Sequence, residues 1–151
     1  MTQNDVLLLK DLCARLPYGV IGKCELDASY GTPFDTIFQT HKFDAVVYSL
    51  TEDSIFVIPL IENEDEQNFA EEEVTKGVAF SDFTPYLFPL SSMTKEQQIN
   101  LTKFVANGIN GENILYDWYN KNHFDYRGLI EKGLAIDATV LNIYDKAKMN
   151  F

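Results

Sequence analysis

The sequence predicts one α+β domain of 151 residues. Its expected parts are an N-terminal helix, a curved antiparallel sheet of about four to six strands, and C-terminal helices packed on that sheet. Three observations lead there. Apolar residues recur at helical spacing before Pro17 and again after Met93. Between Val20 and Phe88 they fall instead in short β-branched and aromatic runs. Strands thus come in series before helices resume, which argues against the alternating units of a doubly wound fold. A small, partly open barrel is the alternative arrangement of the same strands.

The first helix is expected from Asn4 to Leu16, with Val6, Leu9, Leu12, Cys13 and Leu16 as its apolar stripe. Thr2 or Asn4 can cap it, and Pro17 with Gly19 stops it. Lys10 and Arg15 lie toward its C-terminal end, where the helix dipole favours cations. A strand comes next over Val20 to Leu26, then a turn over Asp27 to Gly31 and a weaker extended run from Pro33 to Gln39. Phe43 to Leu50 and Ser54 to Ile61 are the clearest strands, joined through Thr51-Glu52-Asp53 as a hairpin. Both are almost continuously apolar, which predicts cover on both faces. Pro59 cannot donate to a ladder, so its strand lies at an edge or ends there.

Residues 62–73 carry seven acids and no base. They lack apolar periodicity and are expected to form a solvated loop, with at most a helical turn, on which little of the core depends. A strand is expected over Val74 to Phe80, and Thr84 to Pro89 is held extended by its prolines. Ser92 or Thr94 then caps a helix reaching Ala106, with Ile99, Leu101, Phe104 and Val105 inward and Gln97 closing a capping box. Asn107-Gly108 and Asn110-Gly111 break the chain. A further helix from Glu112 to Asn122 turns Ile114, Leu115, Trp118 and Tyr119 to the core. Asp125 caps a short third helix, Tyr126 to Lys132, which Gly133 ends. Beyond Thr139 the pattern predicts no element.

Composition bounds the partners. Net charge is −11, yet without the seven clustered acids the remaining 16 acids against 12 bases leave only −4. The overall field repels nucleic acid and anionic membrane, so no direct nucleic-acid or membrane binding is expected. No run is long enough to span a bilayer and none reads as a signal peptide, so a cytoplasmic location is expected. Cys13 and Cys24 are too few for a disulfide framework and lack C-x-x-C spacing; both are expected as reduced, buried small hydrophobes. The acidic run lacks the alternating ligands and central glycine of a calcium loop. No cofactor and no metal are expected.

Chemistry-bearing motifs of the phosphate-loop, dinucleotide, nucleophile-elbow and zinc-protease types are absent. The residues singled out are His123, Asp125, Tyr126 and Arg127. His123 has Asp117 six positions before it and Asp125 two after, the surroundings a general base needs, although a histidine here more commonly ends a helix against its last carbonyls. His41 reads as a turn residue. The chain has ten Lys but only two Arg, Arg15 and Arg127. The planar fork of Arg127 suits a carboxylate or a ring on another element. That favours a fixed architectural contact over a partner site, with Tyr126 as a half-buried ring.

Three stretches also carry a resemblance. They are Asp11 to Val20, holding Ala14-Arg15-Leu16-Pro17-Tyr18-Gly19; Pro85 to Thr94, opening Pro85-Tyr86-Leu87-Phe88-Pro89; and His123 to Ala135, opening His123-Phe124-Asp125-Tyr126-Arg127-Gly128. Together they resemble a family of small uncharacterised proteins of gut bacteria and their phages or mobile elements, and they cover about a quarter of the chain. Val20 to Phe80 brings no such match. The resemblance implies a mobile-element setting and makes Arg15 and Arg127 parts of a shared scaffold; it implies no activity. The expected function is that of a small non-enzymatic accessory protein that binds another protein through its acidic segment and surface aromatics. The alternatives are a small hydrolase using His123 and an acidic DNA mimic. Oligomeric state is left open.

Overall fold

The computed structural model describes residues 1–32, 35–107 and 111–148. Helix α1 (Gln3–Arg15) starts at Thr2, whose hydroxyl accepts from the Asp5 amide while the Asp5 carboxylate accepts from the Thr2 amide. It ends in a 3₁₀ turn, Leu16–Tyr18, released by Gly19 at φ 70°. Its buried face is Leu8, Asp11, Leu12 and Arg15. That face is rotated from the expected stripe: Val6 and Cys13 are exposed. The apolar stripe failed as a guide because two charged residues, Asp11 and Arg15, neutralise each other inside.

β1 (Ile21–Thr32) and β2 (Asp35–Leu50) form a long antiparallel hairpin, in register from Ile21 opposite Val46 to Thr32 opposite Asp35. The turn expected over Asp27 to Gly31 is therefore strand, since continuous cross-strand pairing overrides local turn propensity. Pro33, where the weaker run was expected to begin, lies outside the described residues. β3 (Ile55–Pro59) pairs with β2 as expected and ends at Pro59, on the sheet edge. The link is fixed by the Thr51 hydroxyl, which accepts from the Asp53 and Ser54 amides.

The acidic run is not a loop. It is helix α2 (Glu64–Glu73), capped by Asn63, whose side chain accepts from the Glu66 amide. Acids in the first turn suit the positive end of the helix dipole. Gln67 donates to the Pro59 carbonyl (2.6 Å) and accepts from the Ile61 amide (2.9 Å), while Ala70 enters the core. His41, expected in a turn, stands on β2 with its Nδ1 2.6 Å from Glu73 Oε1 and its ring against Phe43 and Phe69. The strand expected over Val74 to Phe80 reduces to a single bridge between Val78 and Ile55, then a 3₁₀ turn, Phe80–Asp82.

β4 (Phe83–Pro89) pairs antiparallel with β1. The chain then leaves through α3 (Lys95–Ala106) and α4 (Gly111–Lys121) and returns as β5 (Phe124–Asp125) and later β6 (Ile136–Asp137), both parallel to β4. A helical crossover of this length permits parallel return, so the sheet is mixed rather than antiparallel. Its order is β3-β2-β1-β4-β5, with β6 also on β4, and it is open rather than a barrel. Part of the break between α3 and α4, Gly108 to Asn110, lies outside the described residues. A last helix, α5 (Ile143–Lys148), occupies the tail for which no element was expected.

The period-two alternation of strands divides the core. On one face, Phe43, Ala45 and Val47 meet Leu8 and Leu12 of α1 and Ala70 of α2. On the other, Ile21, Val46 and Tyr86 meet Ala138 and Tyr144. The hairpin of β2 and β3 is thus covered on one face only: on the other, Val46 is buried but Tyr48 and Ile58 are 56% and 43% exposed, so the continuous apolar run overstated its cover. Tyr144 locks the second layer: its hydroxyl accepts from the Ile21 amide (3.2 Å) and donates to the Tyr86 carbonyl (2.6 Å). β1 and β4 approach closely at Gly22, where a Cβ would collide with the Phe83 ring. Burial pushes the Cys24 thiol up to about 12. Burial also raises Tyr86, helped by its hydrogen bond to Asp44 (2.6 Å).

Candidate functional site

The chain brings its two arginines together. Asp11 and Arg15 stand four apart on α1 and therefore on one face. Arg15 is fully buried; its Nε donates to Asp11 Oδ2 (2.8 Å), and its Nη2 reaches Asp11 Oδ1 (3.2 Å) and the Phe124 carbonyl (2.6 Å). Arg127 comes in from the C-terminal segment and donates its Nε to the same Asp11 Oδ1 (3.2 Å). One buried carboxylate thus holds two guanidiniums. The expectation that Arg127 ties its segment to another element matches this geometry, with α1 as the anchor rather than the sheet.

Tyr126 lies between the arginines, its ring centroid 5.3 Å from the Arg15 guanidinium carbon and 4.9 Å from that of Arg127. Such placement over a ring face is attractive, more so where water is excluded. Its hydroxyl accepts from Arg127 Nη2 (3.2 Å) and donates to Asn120 Oδ1 (2.9 Å). Tyr119 and Tyr116 of α4 pack against the same ring, with centroids 5.7 and 5.0 Å away.

Asp125 is buried and caps the segment after it. Its Oδ1 accepts from the Arg127 (3.3 Å) and Leu129 (3.0 Å) amides and its Oδ2 from the Ile130 amide (2.9 Å). The element it caps is a series of hydrogen-bonded turns, not the short α-helix expected over Tyr126 to Lys132. Gly128 adopts φ 75°, which breaks the helical run just after it begins. Gly133, at φ 74°, releases the chain as expected.

His123 takes a separate course. It has φ 63°, the left-handed conformation that ends a helix, directly after α4 and Asn122. Its ring stacks on Tyr144 at 3.5 Å between centroids and 8° between planes. Asp117 is exposed on α4. Of the four residues singled out, Tyr126 and Arg127 therefore meet α1, Asp125 holds the segment that carries them, and His123 stacks on the tail. Asp11, Arg15 and Asn120 were missed as site members; the i, i+4 spacing of Asp11 and Arg15 was the available signal.

Between α1 and α4 a cleft of about 490 Å³ opens on this cluster, lined by Lys10, Ala14, Tyr116, Asn120, Tyr126 and Arg127. Among the described residues no group of three His, Cys, Asp or Glu side chains is placed to hold a metal ion. No helix among them is long and apolar enough to cross a membrane. No family model, curated protein or solved structure matches the chain.

Proposed function

We propose that the chain is a small, non-enzymatic accessory protein of a phage or mobile element that works in the cytoplasm by binding another protein. The observation that carries this reading is α3. None of its residues is buried, and Ile99 and Phe104 are 55% and 41% exposed. They belong to the set expected to face a core. Lys95, Ile99 and Lys103 recur at four-residue spacing, so a cationic and apolar stripe runs along the helix. An amphipathic helix of this kind suits an apolar groove with an acidic rim on a partner.

This differs from the expected contact through the acidic segment, which α2 uses partly for the fold's own packing. The stacking of His123 on Tyr144, and the use of Asp125 as an amide acceptor, favour binding over hydrolysis. The test is affinity capture with the native chain and with Ile99→Glu, which leaves the core untouched. The reading predicts equal melting temperatures and loss of the retained protein by the variant. Identical captured sets from both would overturn it.

A further inference from the structure

The charge balance around Asp11 points to a second site. Arg15 and Arg127 both pair with one carboxylate, Asp11, and the cleft beside them is lined by Lys10 and Arg127 and, among the described residues, by no acid, in a chain whose net charge is −11. Asp125, two residues before Arg127, is held by three backbone amides. Lys10 makes no ion pair among the described residues, although the sequence supplies acids in excess. Arg127 engages Asp11 and Tyr126 through Nε and Nη2, and its Nη1 has no partner among the described residues. A locally cationic cleft is thus maintained against the field of the whole molecule.

Asn120 supplies an independent observation. It is 4% exposed and lines the cleft. Its Oδ1 accepts from the Tyr126 hydroxyl, which in turn accepts from Arg127. That chain of bonds fixes the amide orientation and leaves Nδ2 as a donor with no partner among the described residues. Nδ2 is therefore available to donate to an acceptor seated in the cleft. Tyr116 forms a wall of the cleft, 45% exposed and at 34° to the Tyr126 ring. A cavity of about 490 Å³ lies in the size range of small-molecule sites.

We propose that the cleft between α1 and α4 binds an oxyanion, phosphate or carboxylate, carried on a planar ring. Lys10, Arg127 and Asn120 hold the oxyanion, and Tyr116 stacks on the ring. Charge-assisted bonds from a guanidinium and an ammonium, with a neutral amide beside them, match such a group.

Titration of the full chain with inorganic phosphate, phenyl phosphate and benzoate, followed by side-chain and amide NMR, tests this. Saturable shifts at Lys10, Asn120 and Arg127 are expected, with phenyl phosphate binding about threefold to tenfold tighter than inorganic phosphate because of the ring. The tighter of benzoate and phenyl phosphate identifies the preferred oxyanion. Lys10→Ala, at an exposed position, is expected to keep the native melting temperature and weaken each ligand by about threefold to fivefold. Tyr116→Ala is expected to remove the preference for phenyl phosphate while retaining inorganic phosphate. Absence of saturable shifts at these residues, or ligand affinities unchanged in both variants, would overturn the proposal.

Discussion

Helices α1 and α3 begin alike. Thr2 and Thr94 each accept from the amide three residues on, Asp5 and Gln97 return the bond, and the helices run 13 and 12 residues. Their burial is opposite. α1 takes Asp11 and Arg15 out of water completely, whereas α3 leaves Ile99 and Phe104 in it. The difference lies in what meets each helix. α1 lies on the sheet and receives Arg127 and the Phe124 carbonyl, so its charges are met on several sides. α3 rests chiefly on α4. Capping can start a helix, but neighbouring elements decide which of its side chains are buried.

The largest expected effect is at the buried carboxylate. Asp11→Ala leaves Arg15 enclosed without its counter-ion, which costs about 3–5 kcal/mol. Urea unfolding of the variant measures this, and a loss below about 1 kcal/mol would mean that the arginines find other partners. Asp125→Ala comes next. It removes the acceptor for three amides and is expected to cost about 1–3 kcal/mol by the same measurement.

On α3 the effects shrink. Thr94→Ala removes the cap and is expected to cost about 1 kcal/mol, visible as a loss of helical signal. Ile99→Glu is expected to change stability by no more than about 0.5 kcal/mol. A larger loss would place Ile99 in a packed interface within the chain.

Titration distinguishes covered from uncovered groups as well. The Cys24 thiol is raised from 9.0 to about 12 by burial, with Asp44 and Asp82 adding to the effect. Its folded value exceeds its unfolded one, so its contribution is complete below pH 9 and declines as pH rises toward 12. Tyr86 and Tyr144, also raised mainly by burial, act in the same direction. Stability is therefore expected to fall through this alkaline window, and Cys24→Ala to make the fall shallower. Cys13, exposed on α1, is expected to react with a thiol reagent in the native chain, and Cys24 only on unfolding. Equal rates for the two would contradict the packing described.

Much of the fold could be read from the chain. The Thr94 capping box, the hairpin through Thr51, the end of β3 at Pro59 and the release at Gly133 each arise from local chemistry that tertiary contacts did not override. The failures share a cause. The face of α1 was misplaced because charge normally marks solvent, and Asp11 with Arg15 inverts that rule. The acidic run hid α2 because its inward contacts are a small residue, Ala70, and a polar one, Gln67, which make little apolar periodicity. β1 ran past the expected turn because pairing with β2 is non-local. In the site, Arg127 and Asp125 were found as unusual residues in an unusual string. Asp11 and Asn120 were not, since only the fold brings them to Tyr126.

Native-state hydrogen exchange tests the contrast between the two helices most directly, because it needs neither a partner nor a substitution. The α1 amides are expected to exchange only with global unfolding, held by the Asp11 cluster and the core. The α3 amides are expected to exchange through local opening, at rates at least about a hundredfold higher. Equal protection of the two helices would show that α3 is bound into the core as tightly as α1, and would contradict its assignment as an uncovered binding face.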